Sequence, residues 1–436
     1  MVDTGSTAWL LGSAALVMLM TPGLALFYGG MVRARSVLNV MAMTFVCLAT
    51  VGLVWVAYGY SLAFGSDWFG GLLGTLRLAG LHGVAEQLVG PAGNQVPLFA
   101  FVAFQMMFAV ITVALLAGAI AERARFWTWT LFSVVWVTLV YLPVAHWVFA
   151  PDGWIAAHLH VLDFAGGTVV EVNSGAAALA LALVLGRRHG WPKQAVRPHN
   201  LPFVMFGAGL LWFGWFGFNA GSALAAKNLA ATSFLNTTVA GAAAVLGWLL
   251  VEQFRDGKPT TLGAASGAVA GLVGITPGCA YVEPIGAIAI GVAAGVACSF
   301  AVSLKYRFGF DDSLDVVAVH GLGGFVGTLL IGLFATASVD PGGVNGLFYG
   351  GGFDQLWRQA VGTLAVLGYS LAVTFLIGWV MHKFMGFRVD REAEIDGVDE
   401  AEHAEGAYEL AVQSGRRGSA PAGALGSHRP AREETR

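Results

Sequence analysis

Eleven stretches of this chain stay apolar for about as long as a helix needs to cross a lipid bilayer, and that pattern leaves few folds open. A spanning helix takes roughly 20 mainly apolar residues. Such runs fall at about 7–30, 38–64, 97–121, 126–149, 164–187, 200–222, 230–252, 261–278, 282–305, 313–336 and 357–385. The bilayer core offers the backbone no water, so runs of this length close their hydrogen bonds as helices. The expectation is an all-α polytopic membrane protein with eleven transmembrane helices. Its membrane domain covers 1–385, and a cytoplasmic C-terminal tail covers 386–436. Only 11% of the 436 residues are charged, against about 25% in soluble domains. The net charge of −3 argues against nucleic acid as a partner. The sixty glycines suit close helix packing in lipid. Cys47, Cys279 and Cys298 lie in or beside apolar runs and give neither a disulfide framework nor a metal spacing. No nucleophile, metal or cofactor motif is present, so the chain reads as no enzyme. The first run, to about Gly30, outlasts a signal h-region and reads as a retained span.

Orientation follows from Lys and Arg in the loops. Loops after odd-numbered spans hold Arg33, Arg35, Arg123, Arg125, Arg187, Arg188, Lys193, Arg197, Arg255, Lys258, Lys305 and Arg307; those after even-numbered spans hold Arg77, Lys227 and Arg358. This excess puts the N-terminus outside and the tail inside. The tail opens acidic, from Asp390 to Glu409, and turns basic and Pro/Gly/Ser-rich after about Ser414. Its later part reads as a solvated, disordered segment, and its earlier part as one that docks on the cytoplasmic face.

Ionisable groups at membrane depth are costly and mark function by default. Span 5 opens Asp163-Phe-Ala-Gly-Gly-Thr-Val-Val-Glu171, and span 10 carries Asp315 and His320. Glu171, eight residues past Asp163, lies roughly 12 Å into the membrane at 1.5 Å per residue. His320, seven residues past Ser313, lies about 10 Å in from the other side. Both fall in the middle third of a core of about 30 Å, where a carboxylate and an imidazole can share a hydrogen bond. Five spans separate the two segments, so they run in opposite directions. That is the arrangement of an inverted 5+5 repeat, with a long final helix added and the site at the repeat interface. Phe104 and Phe108 share a helix face in span 3, and Phe218 and Ser222 close span 6. Phe108 and Phe218 are expected at similar depth on the outer side.

The residues then reach a resemblance. The blocks are Phe104-Gln-Met-Met-Phe108, Ala121-Glu-Arg-Ala-Arg-Phe126, Pro143-Val-Ala-His146, Asp163-Phe-Ala-Gly-Gly-Thr, Pro198-His-Asn-Leu-Pro202, Gly214-Trp-Phe-Gly-Phe-Asn-Ala-Gly-Ser222, Gly271-Leu-Val-Gly-Ile-Thr-Pro277 and Asp315-Val-Val-Ala-Val-His-Gly321. Together they resemble the Amt/Mep/Rh ammonium transporter family, in its bacterial Amt branch, over about residues 8–410. The resemblance implies a homotrimer in the cytoplasmic (inner) membrane, one narrow pore per subunit and no cofactor. Phe108 and Phe218 resemble the stacked phenylalanine gate. Ser222, with Phe108 and Phe149, resembles the outer ammonium site, and Asp163 resembles the carboxylate beside it. Two residues depart from the common pattern. Phe149 stands where the family usually has Trp, a better cation–π face. Glu171 replaces the first of two pore histidines, as in a subset best known among fungal transporters.

The resulting expectation is electrogenic ammonium transport. The cation is captured at the outer site, ammonia passes the gate, and the proton travels past Glu171 and His320. The rival readings are an ammonium sensor and a neutral ammonia gas channel. The segment Phe387–Tyr408 resembles the family's cytoplasmic region, which contacts neighbouring subunits and meets PII-type signalling proteins.

Overall fold

A computed structural model describes residues 2–193, 197–340 and 342–408. The far end of the expected tail, 409–436, lies outside the described residues. The described chain is a helical bundle. We number its helices α1 (Thr4–Met31), α2 (Val37–Phe64), α3 (Leu98–Ile120), α4 (Phe126–Phe149), α5 (Gly167–Leu185), α6 (Leu201–Gly221), α7 (Asn228–Asp256), α8 (Thr261–Ile275), α9 (Pro284–Phe308), α10 (Val317–Phe334) and α11 (Asp354–Met385). Two short tail helices follow, α12 (Arg391–Asp396) and α13 (Val398–His403). One two-stranded hairpin, Leu88–Val89 with Val96–Pro97, sits before α3.

Local chemistry sets several of the starts. Asp3 accepts from the Ser6 amide at 2.7 Å, Asn200 from Phe203 at 3.0 Å, and Thr260 from Gly263 at 2.8 Å. Each is an N-cap that satisfies an otherwise orphaned donor. Among the described residues, ten helices are long and apolar enough to cross a membrane. The eighth expected span is shorter than read from the sequence. It ends at Ile275 because Pro277 cannot continue it, and its 15 residues reach only about 22 Å. Spans 5 and 10 also begin late, at Gly167 and Val317, each after an irregular strap. On α11 the exposed aromatics Trp357 and Trp379 stand at interface-like positions. Their separation is about 33 Å along the axis, which brackets a hydrocarbon core.

Helices α5 and α10 open alike. Each opens with a π-turn, Gly167–Val172 and Val317–Leu322, and such turns are frequent at functional sites. An aspartate ahead of each turn caps it. Asp163 Oδ2 accepts from the Thr168 amide and Asp312 Oδ2 from Val317, both at 2.7 Å. The counterpart of Asp163 is therefore Asp312 and not Asp315, the aspartate that the sequence reading named in span 10. Asp315 instead matches Gly166. Both have left-handed backbones, with φ of +63° and +109°, and Asp315 spends its side chain on Lys305, 2.6 Å away. Gly175 and Gly324 match likewise. An added Cβ at Gly175 would meet the Gly321 Cα at 2.1 Å, and one at Gly324 would meet the Glu171 Cβ at 2.7 Å. The two helices thus cross backbone to backbone.

The loops that carry the basic excess gather on one face. Glu122 lies between Arg33 at 2.9 Å and Arg188 at 2.6 Å, and Arg188 forks onto Asp311 at 2.8 Å. Burial would raise the Glu122 carboxyl, but Arg188 and Arg33 outweigh it and hold the group below its usual range. The tail packs on the same face. Arg388 pairs with Glu394 at 2.7 Å and donates to the Leu185 carbonyl. Asp399 accepts from the Leu38 and Asn39 amides at 3.0 and 2.8 Å, and Glu402 from Phe126 at 2.9 Å. The tail therefore caps α2 and α4, whose own preceding residues, Ser36 and Arg125, supply no side-chain cap. Asp399→Ala is expected to cost about 0.5–2 kcal/mol and to speed tryptic cleavage at Arg388 and Arg391. Asp399→Asn keeps an acceptor and should lose less. Limited proteolysis with thermal unfolding checks both.

Candidate functional site

The site begins with a stack of aromatic rings where α3 and α6 meet. Phe108 and Phe218 lie 4.2 Å apart, 15° from parallel, and both are about 1% exposed. Phe104 tilts against Phe108 at 4.9 Å, and Phe149 meets it edge-on at 6.5 Å. The Ser222 hydroxyl, half-buried, donates to the Phe218 carbonyl at 2.8 Å, which leaves its lone pairs free. Phe149 borders Gly166, so the half-buried ring sits next to the strap before α5. Trp147 points elsewhere, as its helical position implies. Its indole donates to the Leu72 carbonyl at 2.9 Å and packs on Tyr369.

Asp163 turns inward. Its Oδ1 accepts from Gly166 and Gly167, both at 2.7 Å, and its Oδ2 from the amide and hydroxyl of Thr168. Its carboxylate is wholly committed to the first turn of α5. One of the residues it holds, Gly166, borders the Phe149 ring.

Behind Phe218 lies a narrow cavity with about 10 Å³ of room, enough for one water-sized molecule. Ten of its twelve lining residues are apolar: Met20, Leu24, Phe27, Ile111, Leu115, Val170, Leu211, Trp215, Phe218 and Val269. The other two are Glu171 and His320. Glu171 Oε2 lies 2.6 Å from His320 Nδ1, a short hydrogen bond. Both residues are buried, and each rides on a π-turn.

Three residues that sequence reasoning left in the background belong to this region. Trp215 lines the cavity and donates to Thr276 Oγ1 at 2.8 Å. Its signal was the helical face Leu211, Trp215, Phe218, Ser222, which reads first as packing. Gln105, next to Phe104, keeps a buried Oε1 with no partner. Asp312, quoted in no block, caps the His320 turn.

The Ammonium Transporter Family model matches residues 8–408. An ammonium transporter of Mycobacterium tuberculosis is 55% identical over 439 residues, covering 95% of this chain and 92% of that one. One from Bacillus subtilis is 48% identical and covers 94% and 99%. Among solved structures, Saccharomyces cerevisiae Mep2 superposes with a TM-score of 0.82 at 35% identity, covering 90% and 88% of the two chains. A sensor Amt protein does so with 0.83 at 30%, covering 92% and 98%. A family match along nearly the whole chain, with relatives this close, makes the chain a multi-pass member of the ammonium transporter family, with ammonium as its substrate.

Proposed function

We propose that the chain moves ammonium across the cytoplasmic membrane electrogenically, with ammonia and the proton taking separate steps past the aromatic gate. The observation that supports this reading most is the 2.6 Å bond between Glu171 and His320, set in a cavity that is otherwise apolar. A hydrated cation finds no replacement for its water shell along Phe108, Phe218 and the aliphatic walls. Neutral ammonia pays far less to enter. A carboxyl hydrogen-bonded to an imidazole can accept a proton on one side of the pair and release one on the other, the pair gaining and then losing one positive charge. In this reading Phe108, Phe149 and Ser222 form the outer site, and Asp163 holds its floor. Phe108 and Phe218 gate it, and Glu171 with His320 relays the proton. The N-terminus is outside, all eleven helices cross, the subunits form a homotrimer, and the docked tail offers a face to a PII-type protein. The chain acts as a carrier and not as an enzyme.

The test is an ammonium pulse applied to proteoliposomes on a solid-supported membrane. A saturable, pH-dependent current that potassium does not evoke is the expected result. Ammonia flux without current overturns the electrogenic reading in favour of a gas channel, and neither signal turns it toward a sensor. Phe149→Trp offers a finer check. A Trp face adds roughly 0.5–1 kcal/mol of cation–π attraction at a partly exposed site. The ammonium concentration giving half-maximal current should therefore fall by about two- to fivefold, with little change in maximal current.

A further inference from the structure

We propose that a groove on the outside of the bundle, between α9, α10 and α11, binds an acyl chain of a phospholipid from the leaflet on the Lys305 side. The groove has a volume of about 420 Å³, nearly three times the roughly 150 Å³ that takes up benzene in an apolar cavity. Leu364, Leu367 and Leu371 form one wall from a single face of α11. Leu371 stands eight residues before Trp379, about 12 Å inside that interface. The groove therefore opens at hydrocarbon depth, where lipid rather than water fills a gap.

Its polar groups are confined to one end. There Lys305 Nζ lies 2.6 Å from Asp315 Oδ1 and donates to the Asp312 carbonyl at 3.0 Å. An apolar trough with charges of both signs only at its mouth has the pattern of an amphiphile. Asp315, whose side chain is about a quarter exposed beside the buried Lys305, offers a partner to a headgroup amine. The floor is the crossing of Gly175 and Gly321. Gly321 follows His320 on the same π-turn, so a chain in the groove packs the back of the turn whose front faces the cavity.

The test uses the full chain in liposomes doped with a phosphatidylethanolamine that carries a diazirine on its acyl chain. After illumination, labelled peptides are located by mass spectrometry. Label is expected on Leu179, Leu322 and Phe325. It should fall severalfold in Leu367→Trp, which fills the groove, and persist in Leu367→Ala, which widens it. Labelling of these three residues that Leu367→Trp leaves unchanged, in protein that still elutes as one species, would overturn the proposal. So would a disulfide-linked dimer formed by Leu364→Cys, which would assign the groove to a second copy of the chain.

Discussion

Glu171→Gln is expected to lower the ammonium current at least about tenfold while leaving the protein folded. The amide oxygen still accepts from His320 Nδ1 across the present 2.6 Å, so packing and the hydrogen bond survive. What disappears is a group that can bind and release a proton. His320→Leu separates the same two effects the other way. It leaves Glu171, about 1% exposed, facing an apolar cavity without its partner. Removing one member of a buried pair costs on the order of 3–5 kcal/mol, so this variant should lose thermal stability as well as current. Glu171→Asp draws the carboxylate back by about one carbon–carbon bond, roughly 1.5 Å, and should retain only part of the current. Current on a solid-supported membrane and thermal unfolding in detergent, measured on all three, decide the matter. Wild-type current in the glutamine variant would remove Glu171 from the proton path.

The sequence made the bundle legible because a bilayer imposes length and apolarity together. Ten of the eleven expected spans reappear as long apolar helices. The eighth fell short because hydropathy does not register the stop at Pro277. The pairing of Glu171 with His320 was legible for a related reason. Depth follows from residue counting along a helix, and two ionisable groups at one depth in lipid have little else to pair with. The turns that carry them were not legible. A π-turn has no hydropathy signature, and it rotates the residues after it away from an ideal helical face. The role of Asp312 was hidden on the same point. Capping geometry and the left-handed position select Asp312 as the counterpart of Asp163 and leave Asp315 opposite Gly166. Asp163 illustrates a further limit. The resemblance suggests a structural and electrostatic carboxylate, but only the structure shows its donors, the amides of Gly166, Gly167, Thr168 and Val169 and the Thr168 hydroxyl. Basic loop residues entered the sequence reading only as a signal of orientation. Arg33 and Arg188 are also partners in a buried cluster, a role that loop position alone does not reveal.

Gly175→Ala should be among the more damaging single-methyl changes in the bundle's centre. The new Cβ would lie 2.1 Å from the Gly321 Cα and 2.3 Å from its amide nitrogen. Both are backbone atoms of a turn whose side chain, His320, is already committed, so no rotamer change relieves the contact. The crossing must open by more than 1 Å to reach ordinary van der Waals separation. Overpacking costs typically about 1–3 kcal/mol even where side chains can yield; here the backbone of the site has to move. The same opening would lengthen the Glu171–His320 bond, so current should fall further than stability alone accounts for. Gly324→Ala, facing the Glu171 Cβ at 2.7 Å, should show the same pattern more mildly. Gly209→Ala and Gly368→Ala, where nothing lies within 4 Å of an added Cβ, should be close to neutral. Elution profile, thermal midpoint and current across the four variants give the comparison. If Gly175→Ala matched the two open-site controls in all three, the pair would not depend on backbone contact between α5 and α10, and the register that aligns Asp163 with Asp312 would have to be set elsewhere.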